Sequence, residues 1–353
     1  MRDHSHAIGS FMIKVLVFIL MFKISTAHAL TDKLYIYTWY DSIPDEVIKK
    51  FTEETGINVI LSSYENNEIM YAKIKLLGQQ SSYDIVSPST YFVSKMAKGN
   101  LLEELDKSKI PNFKFINKNV LNFHFDPDNK FSIPYAVYLT GISYNAKYVT
   151  DKVDSWNNLF EAQYKNKILL LDDVREVFHI GLNLLGYDVN SVNETEIKAA
   201  YKKLCTILPN VRLLSSDSTK VNFLNCEVVI GMNWNADAYQ AMVEDDNLKF
   251  VYPKEGAIFS MDTFAILKNA KNKENAYRFI NFIHRPDVAK DVIEILGMSI
   301  PNDEAKKLVK PILQNNEVIF PKPETIKNSI IHGEIGNNIE IYNKYWEMLK
   351  VEN

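Results

Sequence analysis

Residues 33–56, KLYIYTWYDSIPDEVIKKFTEETG, read as a β-strand that runs straight into an α-helix. KLYIYTW is rich in the aromatic and branched residues that suit a pleated, half-buried surface. In PDEVIKKFTEETG, Val47, Ile48 and Phe51 fall on one helical face, with Pro44 in the first turn and Gly56 just past the end. The alternation continues through INVILSS, NEIMYAKIKLLG, YDIVSPS and YFVSKMAKG. Strands that alternate with helices imply a mostly parallel sheet covered on both faces.

A polar stretch with Pro111 and Pro127 separates this unit from FSIPYAVYLTGISYN, and the alternation then restarts. NKILLL leads into DDVREVFHIGLNLLG, followed by ETEIKAAYKKLCTIL, VRLLSS, EVVIGMNW with ADAYQAMVED, and the strands LKFVYP and AIFSMDTFAIL. The last quarter reads as mainly helical. A chain of 353 residues with this pattern predicts two α/β units of similar size. Hydrophobic content of 46% and aromatic content of 12% are those of a globular protein. A net charge of −4 argues against a broad nucleic-acid surface.

The segment MIKVLVFILMFKISTAHA, residues 12–29, has Lys14, an apolar run from Val15 to Phe22 and a small-x-small site at Ala27-His28-Ala29. That layout predicts a secretory signal peptide over 1–29, cleaved after Ala29, with a run too short to span a bilayer. No Cys lies near the cleavage site, so the expectation is a soluble periplasmic protein without a lipid anchor. An oxidising compartment permits a disulfide between Cys205 and Cys226, with two buried free thiols as the alternative.

Open α/β sheets bind ligands beyond the carboxyl ends of their strands. The first strand ends in Trp39, Tyr40 and Asp41, and the third in Ser87, Ser89 and Tyr91. KILLLDDVRE ends in Asp172 and Asp173 with Glu176 a helical turn on, and VVIGMNWNAD ends in Trp234 with Asp237 three residues later. Asp262 places an acid inside an apolar strand and needs a partner there. Each has a plainer reading. Asp172 or Asp173 with Glu176 resembles a helix cap and capping box, and Asp41 or Ser42 could cap the first helix. The tryptophans could be core aromatics. What these reductions leave unexplained is the recurrence of ring plus carboxylate at successive strand ends.

Rings stack along methylenes and attract cations at about 0.5–2 kcal/mol per contact. Carboxylates add about 1.5–3 kcal/mol per ammonium bonded. A chain of methylenes with ammonium groups at its ends uses both, and no glycine-rich anion loop is present. The ligand read from these residues is cationic. No HExxH, CxxC, GxSxG or GxGxxG pattern occurs, so neither a metal site nor a cofactor is expected. His179, in an apolar helix, reads as packed. Asp173 with Glu176 leaves a secreted glycosidase as the alternative from another class, although the acids recur at too many junctions for one acid/base pair.

LYIYTWYDSIP, TEETGINVI, YENNEIMYAKIK, YDIVSPSTYFV, LDKSKIPNF, FDPDNKFSIPY, LLLDDVREVF, IGMNWN, PKEGAIFSMD, INFIHRPDVAK and ETIKN together resemble the spermidine/putrescine-binding proteins of bacterial polyamine ABC transporters. The resemblance implies a non-enzymatic, monomeric receptor of two α/β lobes with a hinge and a ligand cleft, which delivers a polyamine to an inner-membrane permease. It implies a first lobe of 30–136 plus about 262–306, and a second of 137–261 plus about 307–353. Trp39, Tyr40, Asp41, Ser89 and Tyr91 would then form one wall, Asp173 and Glu176 would hold amino groups from the other, and Trp234 would stack on the methylenes. Asp262 would hold an ammonium, and Asp237 matches an acid of putrescine-preferring relatives. Three positions depart from the spermidine binders, which carry an aromatic at Ser260, Tyr at Met298 and Gln at His332; a protonated His332 would repel an ammonium. Another cationic metabolite, such as agmatine or a basic amino acid, is the alternative ligand. An α-carboxylate would need an Arg, and only Arg175 lies near the expected site.

Overall fold

In a computed structural model, which describes residues 32–352, strand β1 (Lys33–Trp39) leads into helix α1 (Asp45–Thr55) as the sequence predicts. Gly56 ends α1 at φ 74, and its N–H bonds to Thr52 O. Strand β2 (Asn58–Tyr64), helix α2 (Asn67–Leu77), strand β3 (Ile85–Val86) and helix α3 (Thr90–Lys98) complete the first alternation. β1 pairs in parallel with β2 on one side and with β3 on the other. The signal-peptide expectation lies outside the described residues.

A long strand β4 (Ser132–Asn145) opens the second unit, which continues through β5 (Ile168–Leu170), α4 (Val174–Leu184), α5 (Glu194–Cys205), β6 (Val211–Leu214), α6 (Thr219–Leu224), β7 (Ile230–Trp234), α7 (Asn235–Glu244) and β8 (Leu248–Val251). β5 pairs in parallel with β6 and with β7. Strand β9 (Ile258–Ile266) then leads back to α8 (Lys273–Ile283) and α9 (Pro286–Leu296). Short helices α10 (Asp303–Leu308), α11 (Pro311–Gln314) and α12 (Pro323–Asn328), strand β10 (Ile330–Ile331) and helix α13 (Ile339–Glu352) follow.

The sheet order is β2-β1-β3-β9-β4-β7-β5-β6, with β10 beside β9 and β8 beside β4. The parallel halves thus meet through antiparallel pairs, β3 with β9, β9 with β4 and β4 with β7. Two cores lie on either side of this seam. One takes buried residues up to Leu139 and again from Phe259 to Ile319, with Ala236 and Ala257, the other takes most of those from Ile142 to Ile258 and from Ile335 to Leu349, and a small cluster around Phe223 and Leu248 lies beside the second. Fully buried Asp84 locks the return segment to the first sheet. Its Oδ2 accepts Tyr35 N–H at 3.0 Å, and its Oδ1 accepts the N–H groups of Lys271 and Asn272 at 3.1 and 2.8 Å.

Cys205 and Cys226 are free thiols, which overturns the disulfide, although neither is buried as the free-thiol alternative expects. Cys205, at the end of α5, donates to Glu352 Oε2 at 3.2 Å, while Cys226 is exposed beyond α6. They belong to different elements, and neither is fully buried.

Gly231 sits where β7 is squeezed between β4 and β5, and an added Cβ would fall 2.3 Å from Leu169 O. Gly231→Ala is expected to destabilise the fold by about 1–3 kcal/mol through overpacking. A lower midpoint with unchanged slope in urea denaturation checks this.

Candidate functional site

Register places the central residues. On β4, Ala136 lies opposite Asp262 of β9, Tyr138 opposite Ser260 and Thr140 opposite Ile258, while Thr140 also faces Trp234 of β7. Directly opposed residues share a face. Asp262, Ser260, Tyr138, Thr140 and Trp234 therefore line one side of the seam, and a bulge between Pro134 and Ala136 sets the phase of that alternation. The alternate residues Val137, Leu139, Phe259 and Met261 are buried in the first core.

From the first lobe, Ser89 Oγ donates to Asp262 Oδ1 at 2.6 Å, and Trp39 Nε1 donates to Ser87 O at 3.1 Å. Trp39 also packs edge-on against Tyr64, with ring centroids 4.7 Å apart. From the second lobe, Asp173 caps α4, its Oδ1 accepting the N–H groups of Arg175 and Glu176 at 2.8 and 3.1 Å. That leaves Oδ2 without a protein partner among the described residues. The cap predicted from sequence is Asp173 rather than Asp172, and Glu176 does not turn back to complete a capping box. Glu176 is 6% exposed, its Oε2 has no hydrogen-bond partner among the described residues, and the Thr140 hydroxyl lies close enough to favour its charged form. Asp237 accepts the Thr219 hydroxyl at 2.8 Å.

These acids sit where solvation is poor, and Asp173 and Glu176 also crowd each other. Burial raises Asp262 to a pKa of about 7, opposed by the Ser89 hydroxyl and the Trp39 indole. Burial also raises Glu176 well above the usual carboxylate range, reinforced by the Asp173 charge. Asp173 and Asp237 are raised by burial as well. Asp173 keeps an exposed edge while protein surrounds its carboxylate, as expected for a group in a cleft wall. Glu68, at the start of α2, belongs to the same group. Its pKa is raised by burial and then by Asp173, although the two stand on opposite lobes.

The walls meet at the rim. Arg175 lies 5.8 Å above the Tyr91 ring, Ser94 Oγ is 3.3 Å from Glu334 Oε2, and Lys98 pairs with Glu334. Arg175 is itself committed elsewhere, donating to Asn190 Oδ1 at 2.7 Å and to Gly333 O at 3.3 Å. Its buried Nε has no partner among the described residues.

Four expected residues sit apart from this cluster. Tyr40 is 78% exposed, and Asp41 is exposed at φ 49. With Trp39 and Ser42 they line an open hollow of ≈ 510 Å³ that holds none of the buried carboxylates. Neither Asp41 nor Ser42 caps α1, because the cap position is Pro44; Ser42 Oγ bonds instead to Trp39 O at 2.9 Å. Met298 is 3% exposed and packed in the first core. His332 is buried with its Nε2 3.2 Å from His179 Nδ1. Burial and the neighbouring Arg175 and His179 hold His332 well below its ordinary pKa, so its ring is neutral and the repulsion of an ammonium does not arise. His179 is fully buried, as read from the sequence.

Sequence reasoning missed Glu68, Tyr138 and Thr140. The alternation in FSIPYAVYLTGISYN held the signal for the two β4 residues, but only the partner strand fixes which face is the cleft. Among the described residues, no group of three or more His, Cys, Asp or Glu could hold a metal ion.

Two lobes around an acid-lined seam define a receptor for a solute. The pattern of the bacterial extracellular solute-binding proteins matches residues 46–321, and the chain belongs to that family. It is 44% identical over 328 residues to the spermidine/putrescine-binding periplasmic protein of Salmonella typhimurium, covering 92% of this chain and 94% of that protein. It is 33% identical over 313 residues to the putrescine-binding periplasmic protein SpuD of Pseudomonas aeruginosa, covering 83% and 85%. Among solved structures, a putative spermidine/putrescine ABC transporter protein from Listeria monocytogenes superposes with a TM-score of 0.87 at 36% identity, over 91% of this chain and 100% of that one.

Asp262 gives the unliganded protein a pH signature. An acid whose folded pKa is raised stabilises the fold below its unfolded pKa, near 4, and that contribution is lost as pH rises through about 7. Asp262→Asn should therefore melt at a higher temperature than the unsubstituted protein at pH 8, with the difference shrinking toward pH 5. Thermal unfolding across that range checks it.

Proposed function

We propose that this protein captures a polyamine, putrescine or spermidine, and delivers it to an ABC-type importer. The observation that carries the reading is the surplus of partly desolvated carboxylates at the seam, Glu68, Asp173, Glu176, Asp237 and Asp262, beside an Arg175 already held by Asn190 and Gly333. Acids held above their ordinary pKa gain from an arriving ammonium, which restores their preference for the charged form. The half-buried Trp234 on the same face offers a surface for methylenes. The relatives' names point the same way.

As a receptor the protein has no reaction to perform, and its partner is the inner-membrane permease. We place it in the periplasm, exported by the 1–29 signal peptide, without a lipid anchor and as a monomer. Among the described residues no helix is long and apolar enough to cross a membrane. The site comprises Trp39, Ser89, Tyr91, Asp173, Glu176, Trp234, Asp237, Ser260 and Asp262, without Tyr40, Asp41, Met298 and His332, which stand apart from it. The lobes divide near 136 and 262, supported by the change of core between Leu139 and Ile142 and between Ile258 and Phe259. The first lobe's return runs beyond 306, since Leu313 and Ile319 pack in the first core.

Isothermal calorimetry of residues 30–353 against putrescine, spermidine, spermine, agmatine and arginine is the test. Micromolar affinity for at least one polyamine, with arginine far weaker, is the expected result; no polyamine binding tighter than millimolar overturns the reading. Trp234→Ala should weaken the best ligand about tenfold, an effect of about 1.4 kcal/mol. Binding at pH 7 should also release protons as Asp262 ionises, so enthalpies in phosphate and Tris should differ and affinity should fall as pH drops below 7.

A further inference from the structure

Tyr138 differs from four tyrosines of the framework in what its hydroxyl does. Tyr64 donates to Ser87 O, Tyr135 to Ser42 O at 2.7 Å, Tyr252 to Val318 O at 2.8 Å and Tyr342 to Ser191 O at 2.6 Å. Those four rings are fixed parts of the framework. The Tyr138 hydroxyl has no hydrogen-bond partner among the described residues, although its ring rests half-buried against the first core.

Its position is set by the seam. Tyr138 stands directly across from Ser260 on the face that also carries Asp262 and Thr140. Ser260 is small and half-buried, so that side of the strand pair carries no large group at its level. Asp262 and Asp237 both lie close enough to influence the Tyr138 phenol, together with Tyr135 and Tyr64. An acid of the first lobe and an acid of the second are thus both within electrostatic reach of the phenol. A neutral phenol can accept from an ammonium through its lone pairs and donate its proton to a carboxylate, and its ring can flank methylenes or face a cation.

We propose that Tyr138 is a specificity-determining residue of the cleft, whose ring supplies the wall left open at Ser260 and whose free hydroxyl meets the part of the ligand lying between Asp262 and Asp237. The proposal rests on the polyamine reading. Tyr138 touches the ligand's middle rather than one end, so it acts on the spacing of amino groups that the cleft accepts. Losing the ring should alter the ratio between a diamine and a longer triamine, and not merely scale both affinities. A ring placed on the opposite strand should serve in its stead, because residues 138 and 260 share one face at one level.

Calorimetric titrations of putrescine and spermidine into the unsubstituted protein, Tyr138→Phe, Tyr138→Leu, Tyr138→Ala and the double variant Tyr138→Ala/Ser260→Tyr test this. Tyr138→Ala and Tyr138→Leu should weaken the better ligand at least about tenfold and shift the spermidine-to-putrescine affinity ratio about fivefold or more. Tyr138→Phe should keep most of the affinity, and the double variant should recover part of it. Tyr138→Leu keeps apolar bulk against the core, so it remains informative if Tyr138→Ala melts early. If the unsubstituted protein binds polyamines and Tyr138→Leu leaves the ratio within about twofold, the role of Tyr138 is refuted while the polyamine reading stands. If the unsubstituted protein binds no polyamine, both fall together.

Discussion

The antiparallel pairing of β4 with β9 is the constraint on which the rest depends. These two strands pass between the cores, and their register from Ser132 opposite Ala265 to Thr140 opposite Ile258 ties the lobes together. Side chains in a strand alternate between faces, so a slip of one residue would turn Asp262, Ser260, Tyr138 and Thr140 away from the cleft and bring Val137 and Met261 into it. Asp84 secures the return of the chain into the first sheet, and the tight fit of Gly231 against Leu169 fixes β7, whose last residue is Trp234. The site inherits its geometry from the sheet.

Electrostatics then selects the ligand. Several carboxylates from two lobes converge where solvation is poor, and burial raises each of them. Desolvation makes each costly to ionise while the cleft is empty, and the Asp173 charge adds to that cost for Glu68 and Glu176. Arg175, the cation beside it, is held against Asn190, Gly333 and the rings of Tyr91 and Tyr342, and relieves only part of the strain. On the proposed function, a ligand with separated positive charges relieves the remainder. The unpartnered Oε2 of Glu176 and the free Oδ2 of Asp173 are suited to receive it.

Histidine provides the contrast. His179 and His332 lie buried against each other beside Arg175, and both are pushed toward the neutral form, His179 to about 3. A residue type that often works as a switch near neutral pH is thus made a fixed neutral pair behind the acids. The cleft can hold cations without a competing positive charge from these rings.

The alternation of strands and helices, the two α/β units and the recurrence of ring plus acid at strand ends were legible in the sequence, because each depends on neighbours within one or two turns of chain. The cap at Asp173 and the glycine stop at Gly56 were legible for the same reason, although the choice of Asp173 over Asp172 needed the backbone. Tyr40 and Asp41, placed beside Trp39 in the chain, turn out to solvent, since Asp41 adopts φ 49 and the chain leaves the strand there. Glu68 carried no local signal, and the alternation around Tyr138 left open which face of β4 lines the cleft. Glu68 meets Asp173 only when the lobes face each other, and Tyr138 faces Ser260 only through a pairing between strands more than a hundred residues apart. Sequence by itself determined the elements and the family, since periodicity and local chemistry suffice for those, and it offered the acids as candidates. Tertiary structure alone decided which of them share the cleft, because that rests on long-range register and on the depth at which water is excluded.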